Sequence, residues 1–170
     1  ARSVSPGLCA KKMETQSKVP RLRAPCKRPV LAYVSGAISR ALQATECTPE
    51  MVVDTLHGVL TRYAMTNYDD GRHEFQNGVL MRCAVLARRM GEVPGGDVGE
   101  MLAVLVALAW KTADDFAPSN EHFAMWLYMD LRRFNAWEAD LLQSVGYRAL
   151  VLDAELGREI RACDRVTRGA

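Results

Sequence analysis

The most apolar stretch of this 170-residue chain, Met101 to Trp110, runs straight into Lys111-Thr112-Ala113-Asp114-Asp115. A lysine and two carboxylates at the end of an apolar helix lose solvation unless an opposite charge meets them. A little further on, Phe134-Asn135-Ala136-Trp137-Glu138-Ala139-Asp140 adds another carboxylate among aromatic residues. Lys111 and Glu138 are thus offered together at one edge of a helical domain. The residue sets that break bonds are missing. Gly91 to Gly96 lacks the lysine and the serine or threonine of a phosphate-binding loop, and no nucleophile elbow or metal motif occurs. His57, His73 and His122 lie far apart in polar settings and read as surface histidines.

The elements that must position this pair are helices, read from apolar spacing near 3.6 residues. Val30 to Gln43 puts Val34, Ile38 and Leu42 on one stripe. Thr48-Pro49-Glu50 opens a second helix, with threonine as the cap and proline at the first helical position. Its stripe is Val52, Leu56, Val59, Leu60 and Tyr63, and Asp69-Asp70-Gly71 is turn chemistry. Phe75 to Met90 is a third helix, and Gly91 to Gly96 is the clearest break.

Val98 to Ala113 is apolar almost all round, which places it among other helices rather than on a surface. Shorter helices are expected at Ser119 to Asp130 and at Phe134 to Val145, and a final amphipathic one uses Leu152, Leu156, Ile160 and Cys163. Trp110, Trp126, Phe134 and Trp137 are assigned to packing. No alternating pattern is long enough for a sheet, so the fold class is all-α.

Charge and composition divide the chain. Residues 1–29 carry a net charge of +7, four prolines and no periodicity, a composition that buries too little apolar area to fold alone. The remainder carries −5. A basic tail over 1–29, one domain over 30–151 and a C-terminal helix and tail over 152–170 are the expected organisation. Five cysteines without a CxxC pair suggest neither a disulfide framework nor a zinc site, and are read as reduced thiols of a nuclear or cytoplasmic protein. The longest apolar run is about half of a membrane span, and the opening stretch does not read as a signal peptide.

The ordered combination WKTADD, NEHFA and FNAWEADLL resembles the cyclin box, and within it the phosphate-signalling and P- and U-type cyclins. Their pattern is an Ala-Lys followed by Asp-Asp, an Asn-x-x-Tyr-Ala, then Leu-Asn-x-Leu-Glu-x-x-Phe-Leu. The interval from Asn120 to Glu138 is the same, and VLAYVSGAISRALQA and MVVDTLHGVLTRY are similar to the family's opening helix and first box helix. Two departures stand out: Arg88-Arg89 occupies the place of an Asp-Arg, and Met125-Trp126-Leu127 that of a Val-Gly-Gly.

The resemblance covers about residues 30–150. It implies a five-helix box, with one helix before it and a short one after it, whose third helix is buried among the others. It also implies a regulatory subunit that binds and activates a cyclin-dependent protein kinase, in the cell cycle or in phosphate signalling. The kinase-binding residues it implies are Lys111, Asp114, Glu138, Leu142 and Tyr147, with no catalytic residue and no metal ligand. No cofactor of the chain's own is implied, since ATP and metal belong to the kinase. Other regulatory proteins are further possible partners, whereas a membrane or nucleic acid is not expected. The alternative is a cyclin-fold adaptor that binds a transcription factor, DNA or another protein without activating a kinase.

Overall fold

The computed structural model describes residues 28–42, 47–67, 73–91 and 95–169. They form seven helices and no strand: α1 Arg28–Leu42, α2 Pro49–Asn67, α3 His73–Arg89, α4 Val98–Lys111, α5 Asn120–Leu127, α6 Leu131–Ser144 and α7 Asp153–Arg168. The described part of the chain is therefore all-α. The turn expected at Asp69-Asp70-Gly71 and residues 1–27 of the basic tail lie outside the described residues. None of the described helices is long and apolar enough to cross a membrane.

Every residue of α4 from Met101 to Trp110 is buried, as its all-round apolar surface requires. Three helices surround it: α2, α3 and α6 pack on its sides. α1 lies across α2 and α3, α5 bridges α2 and α6, and α7 closes the structure against α3 and α1. An aromatic cluster fills the end of α4 nearest Lys111. Tyr63 meets Trp110, Phe123 and Trp126 with ring centroids 5.3 to 5.6 Å apart, and Phe123 stacks on Phe134 at 6.1 Å. The assignment of Trp110, Phe134 and Trp137 to packing agrees with their burial, while Trp126 is half-buried.

Helix ends differ from the expected ones for local reasons. Thr48 caps α2 through Oγ1 to the Met51 amide at 3.2 Å, with Pro49 at the first position as expected. α4 stops two residues early, at Lys111, because the Thr112 hydroxyl bonds back to the Ala109 carbonyl and the Ala113 and Asp114 amides both turn onto Trp110. α5 ends at Leu127 rather than Asp130, since Tyr128 takes a left-handed conformation at φ 53° and sends the chain round. Asp130 is thereby released to cap α6, accepting from the Arg132 and Arg133 amides, so that helix begins three residues before Phe134. In the break before α4, Gly96 at φ +133° is required twice over, because a Cβ there would lie 2.9 Å from the Trp137 ring.

The expected stripe of α7 is partly wrong. Leu152 and Ile160 are exposed, Leu156 is half-buried, and the two buried residues of the helix are Cys163 and Glu159. The helix is rotated so that a carboxylate rather than Ile160 faces the core, because Tyr33 of α1 and Arg88 of α3 both bond to it.

Candidate functional site

Lys111 is the last residue of the buried helix α4, where a cation is favoured by the terminal carbonyls by about 0.3–1 kcal/mol. Glu138 lies on α6, four residues after the fully buried Phe134 and three before the fully buried Leu141. This places the two charges at one edge of the bundle, with Lys111 Nζ 2.5 Å from Glu138 Oε1. Their side chains keep 27% and 16% of their accessible surface, so the pair is half-sunk rather than enclosed.

Asn120, the first residue of α5, binds both members. Its Oδ1 accepts from Lys111 Nζ, and its Nδ2 donates to Glu138 Oε2 at 2.6 Å and to Asn135 Oδ1 at 2.8 Å. Three helices therefore meet in one polar cluster of a cation, a carboxylate and two amides. Beneath it, the ammonium sits 5.9 Å from the Phe123 ring centroid and 6.0 Å from that of Phe134, within cation–π range. Two of the three ammonium donors and one lone pair on each carboxylate oxygen are engaged in hydrogen bonds within the chain, which leaves one donor and one lone pair per oxygen as spare capacity.

The other expected site residues take different places. Leu142 follows Glu138 by one turn of α6 and is half-buried against the core. Tyr147 lies beyond the helix end with 75% of its surface exposed, its amide bonded to the Leu142 carbonyl at 2.7 Å. The Asp114 carboxylate is turned onto the Phe116 amide at 2.9 Å, where it shapes the connection to α5 instead of joining the cluster. Asp115 is exposed. His57 and His122 are exposed as expected, with His122 bonded to the Ser119 hydroxyl at 2.8 Å. Arg133 pairs with Glu100 at 2.7 Å, and the same Glu100 oxygen accepts from Trp137 Nε1 at 3.0 Å.

A second charged cluster was not legible in the sequence. At the end of α3, Arg89 holds both oxygens of Glu155 at 2.6 Å and donates to the Leu150 and Arg148 carbonyls. Arg88 pairs with Glu159, which also accepts from the Tyr33 hydroxyl at 2.9 Å. Glu155 completes the start of α7 by accepting from the Leu152 amide. Burial, reinforced by Glu159, pushes the Tyr33 hydroxyl above its ordinary value. The bonds to Arg89 and to the Leu152 amide hold the Glu155 carboxyl below its ordinary value. The signal available in the sequence was Arg88-Arg89 at a helix end and two glutamates four residues apart, Glu155 and Glu159, on a later helix.

Cys47, Cys83 and Cys163 are free and buried, and burial raises all three thiols, which removes them as nucleophiles. Among the described residues no group of three or more His, Cys, Asp or Glu is placed to hold a metal ion. Compared with models of protein families, with curated proteins and with solved structures, the chain has no match.

Proposed function

We propose that this chain is a cyclin-type regulatory subunit that binds and activates a cyclin-dependent protein kinase. The observation that carries the reading is the meeting of Lys111 and Glu138 at a partly exposed edge, delivered there by a helix buried along ten consecutive residues. The described residues form seven helices, the number that one opening helix, five box helices and one closing helix would need. Leu142 and Tyr147 follow Glu138 along α6 and its end and would supply apolar contact, with Asp114 at the border.

The subunit would do no bond chemistry. It would act by population shift, binding the kinase conformation in which the regulatory helix is rotated inward. The kinase's own lysine and glutamate then meet, and its phosphates and Mg²⁺ are correctly held. The spare capacity of the cluster suits a helix end of the kinase, since a spare N–H of Lys111 can take a backbone carbonyl and a spare lone pair of Glu138 a backbone amide. Partners of this kind gain most from a few anchored contacts ringed by polar groups.

The test is to co-purify the chain with kinases of the cyclin-dependent class and assay phosphoryl transfer. Binding and activity should appear with at least one of them, and both should be lost in the combined Lys111→Ala, Glu138→Ala variant whose helicity by circular dichroism is unchanged. Absence of binding to every such kinase, or a double variant that binds and activates as well as the parent, removes the reading.

A further inference from the structure

The cleft between the end of α3 and the outer face of α7 lies apart from the Lys111 edge and has a volume of about 420 Å³. Its lining combines the apolar residues Val85 and Ala162 with four arginines, Arg88, Arg89, Arg158 and Arg165, and two glutamates, Glu155 and Glu159. Four cations face two anions, an excess of two positive charges in one concavity.

Both carboxylates are already committed. Glu159 is buried under Tyr33 and Arg88, and Glu155 is held through both oxygens by Arg89. The side chains of Arg158 and Arg165, seven residues apart on one stripe of α7, are exposed and make no hydrogen bond or ion pair among the described residues, although the charge of Arg158 is felt by Glu155. Arg88 is fixed by Glu159 on one edge, yet 45% of its side chain remains accessible. The cleft thus combines two uncommitted cations with a third that is held in place beforehand.

We propose that this cleft binds a phosphate group carrying close to two negative charges, with Arg158 and Arg165 as its principal ligands and Arg88 as the preorganised one. The charge decides the class. A phosphate monoester brings about −1.5 to −2 at pH 7, matching the excess, whereas a single carboxylate side chain brings half of it. Guanidinium groups also fit phosphate oxygens in paired hydrogen bonds, which is why arginine clusters recur where phosphorylated residues are recognised. Two sources share this chemistry: a phosphorylated serine or threonine of another protein, and free inorganic phosphate. The assignment is independent of kinase binding at the Lys111 edge.

The experiment uses the full chain, labelled with ¹⁵N, and follows its amide and arginine side-chain resonances by NMR. Three probes are titrated at neutral pH: inorganic phosphate, a neutral Gly/Ala/Ser peptide carrying one phosphoserine, and its unphosphorylated twin. Saturable shifts confined to the end of α3 and to α7 are expected with phosphate or phosphopeptide, and none with the twin. Arg158→Gln with Arg165→Gln should weaken that binding at least tenfold without changing the circular dichroism. Lowering the pH below about 6, where the phosphate group loses its second charge, should weaken it too. Tighter binding of the phosphopeptide by tenfold or more assigns the site to a phosphoprotein, and equal or tighter binding of inorganic phosphate assigns it to the free anion. Shifts absent, spread over the whole surface, unchanged in the double variant or equally large with the twin overturn the proposal.

Discussion

The α3–α7 clamp and the α4–α5–α6 cluster are both built from charges brought together across helices, and they differ in what they leave unused. In the clamp, Glu159 keeps only 5% of its side-chain surface and meets Tyr33 and Arg88, while Glu155 is gripped through both oxygens. Its carboxylates are closed and serve to fasten the last helix. At the Lys111 edge Glu138 keeps 16% of its side-chain surface against 5% for Glu159, the ammonium lies over two aromatic rings, and one of its donors has no hydrogen-bond partner within the chain. The carboxylates of the first fasten the fold and leave only arginines over; the second leaves capacity of both signs.

If that contrast is right, the clamp should dominate stability. Arg88→Ala leaves a buried carboxylate with Tyr33 as its one side-chain partner, and should lower the unfolding free energy by about 3 kcal/mol, the lower end for a broken buried pair. Urea unfolding monitored by circular dichroism measures it. A loss of under about 1 kcal/mol would place Arg88–Glu159 with ordinary surface pairs and erase the comparison. Lys111→Ala should cost less, about 1–2 kcal/mol, because Asn120 still donates to Glu138 and water reaches the site. A double-mutant cycle on Lys111 and Glu138 should return a smaller coupling than one on Arg88 and Glu159.

The acid limb of stability probes the clamp again, through Glu155. Its carboxyl lies below the ordinary value when folded, chiefly because Arg89 bonds to the charged form. The folded state therefore binds this proton less readily than the unfolded chain, so its contribution is present above the ordinary carboxyl pKa and fades as pH falls through the folded one. Urea midpoints should drop between about pH 5 and pH 3, and Glu155→Gln should flatten that slope while lowering the midpoint at neutral pH. An unchanged slope in the variant would assign the acid limb to other carboxylates.

Much of the Lys111 edge was legible because its causes are local. An all-round apolar run predicts a buried helix, and a lysine at its end has few places to go. Asn120 was visible only as part of a pattern, since an asparagine at a helix start reads as capping chemistry and nothing nearby shows that it will bridge Lys111 to Glu138. The clamp was illegible because Arg88 and Glu159 are 71 residues apart, and an amphipathic reading of α7 naturally turns Ile160 inward. Only the docking of α7 on α1 and α3 reveals that a tyrosine and an arginine wait there for Glu159. The early end of α5 was hidden for a backbone reason: glycine or asparagine usually marks a left-handed helix end, and here Tyr128 supplies it.

The smallest stability effect separates the two regions most sharply, and it concerns Tyr147. α6 ends in paired bonds from the Gly146 amide to Gln143 and from the Tyr147 amide to Leu142, a closure that needs one left-handed residue, Gly146 at φ 60°. Tyr147 is left-handed as well, at φ 57°, which costs a non-glycine residue about 1 kcal/mol. Its ring, 75% exposed, returns little of that through packing. Tyr147→Gly should therefore leave the fold equally stable or up to about 1 kcal/mol more stable, backbone entropy offsetting part of the relief. The same substitution at Tyr128, left-handed and exposed at the end of α5, is the control. If Tyr147 is retained for a partner, its replacement weakens kinase binding at least tenfold while Tyr128→Gly leaves binding intact. Equal binding by both variants would detach Tyr147 from the proposed interface, and a destabilised Tyr147→Gly would mean that the ring belongs to the fold after all.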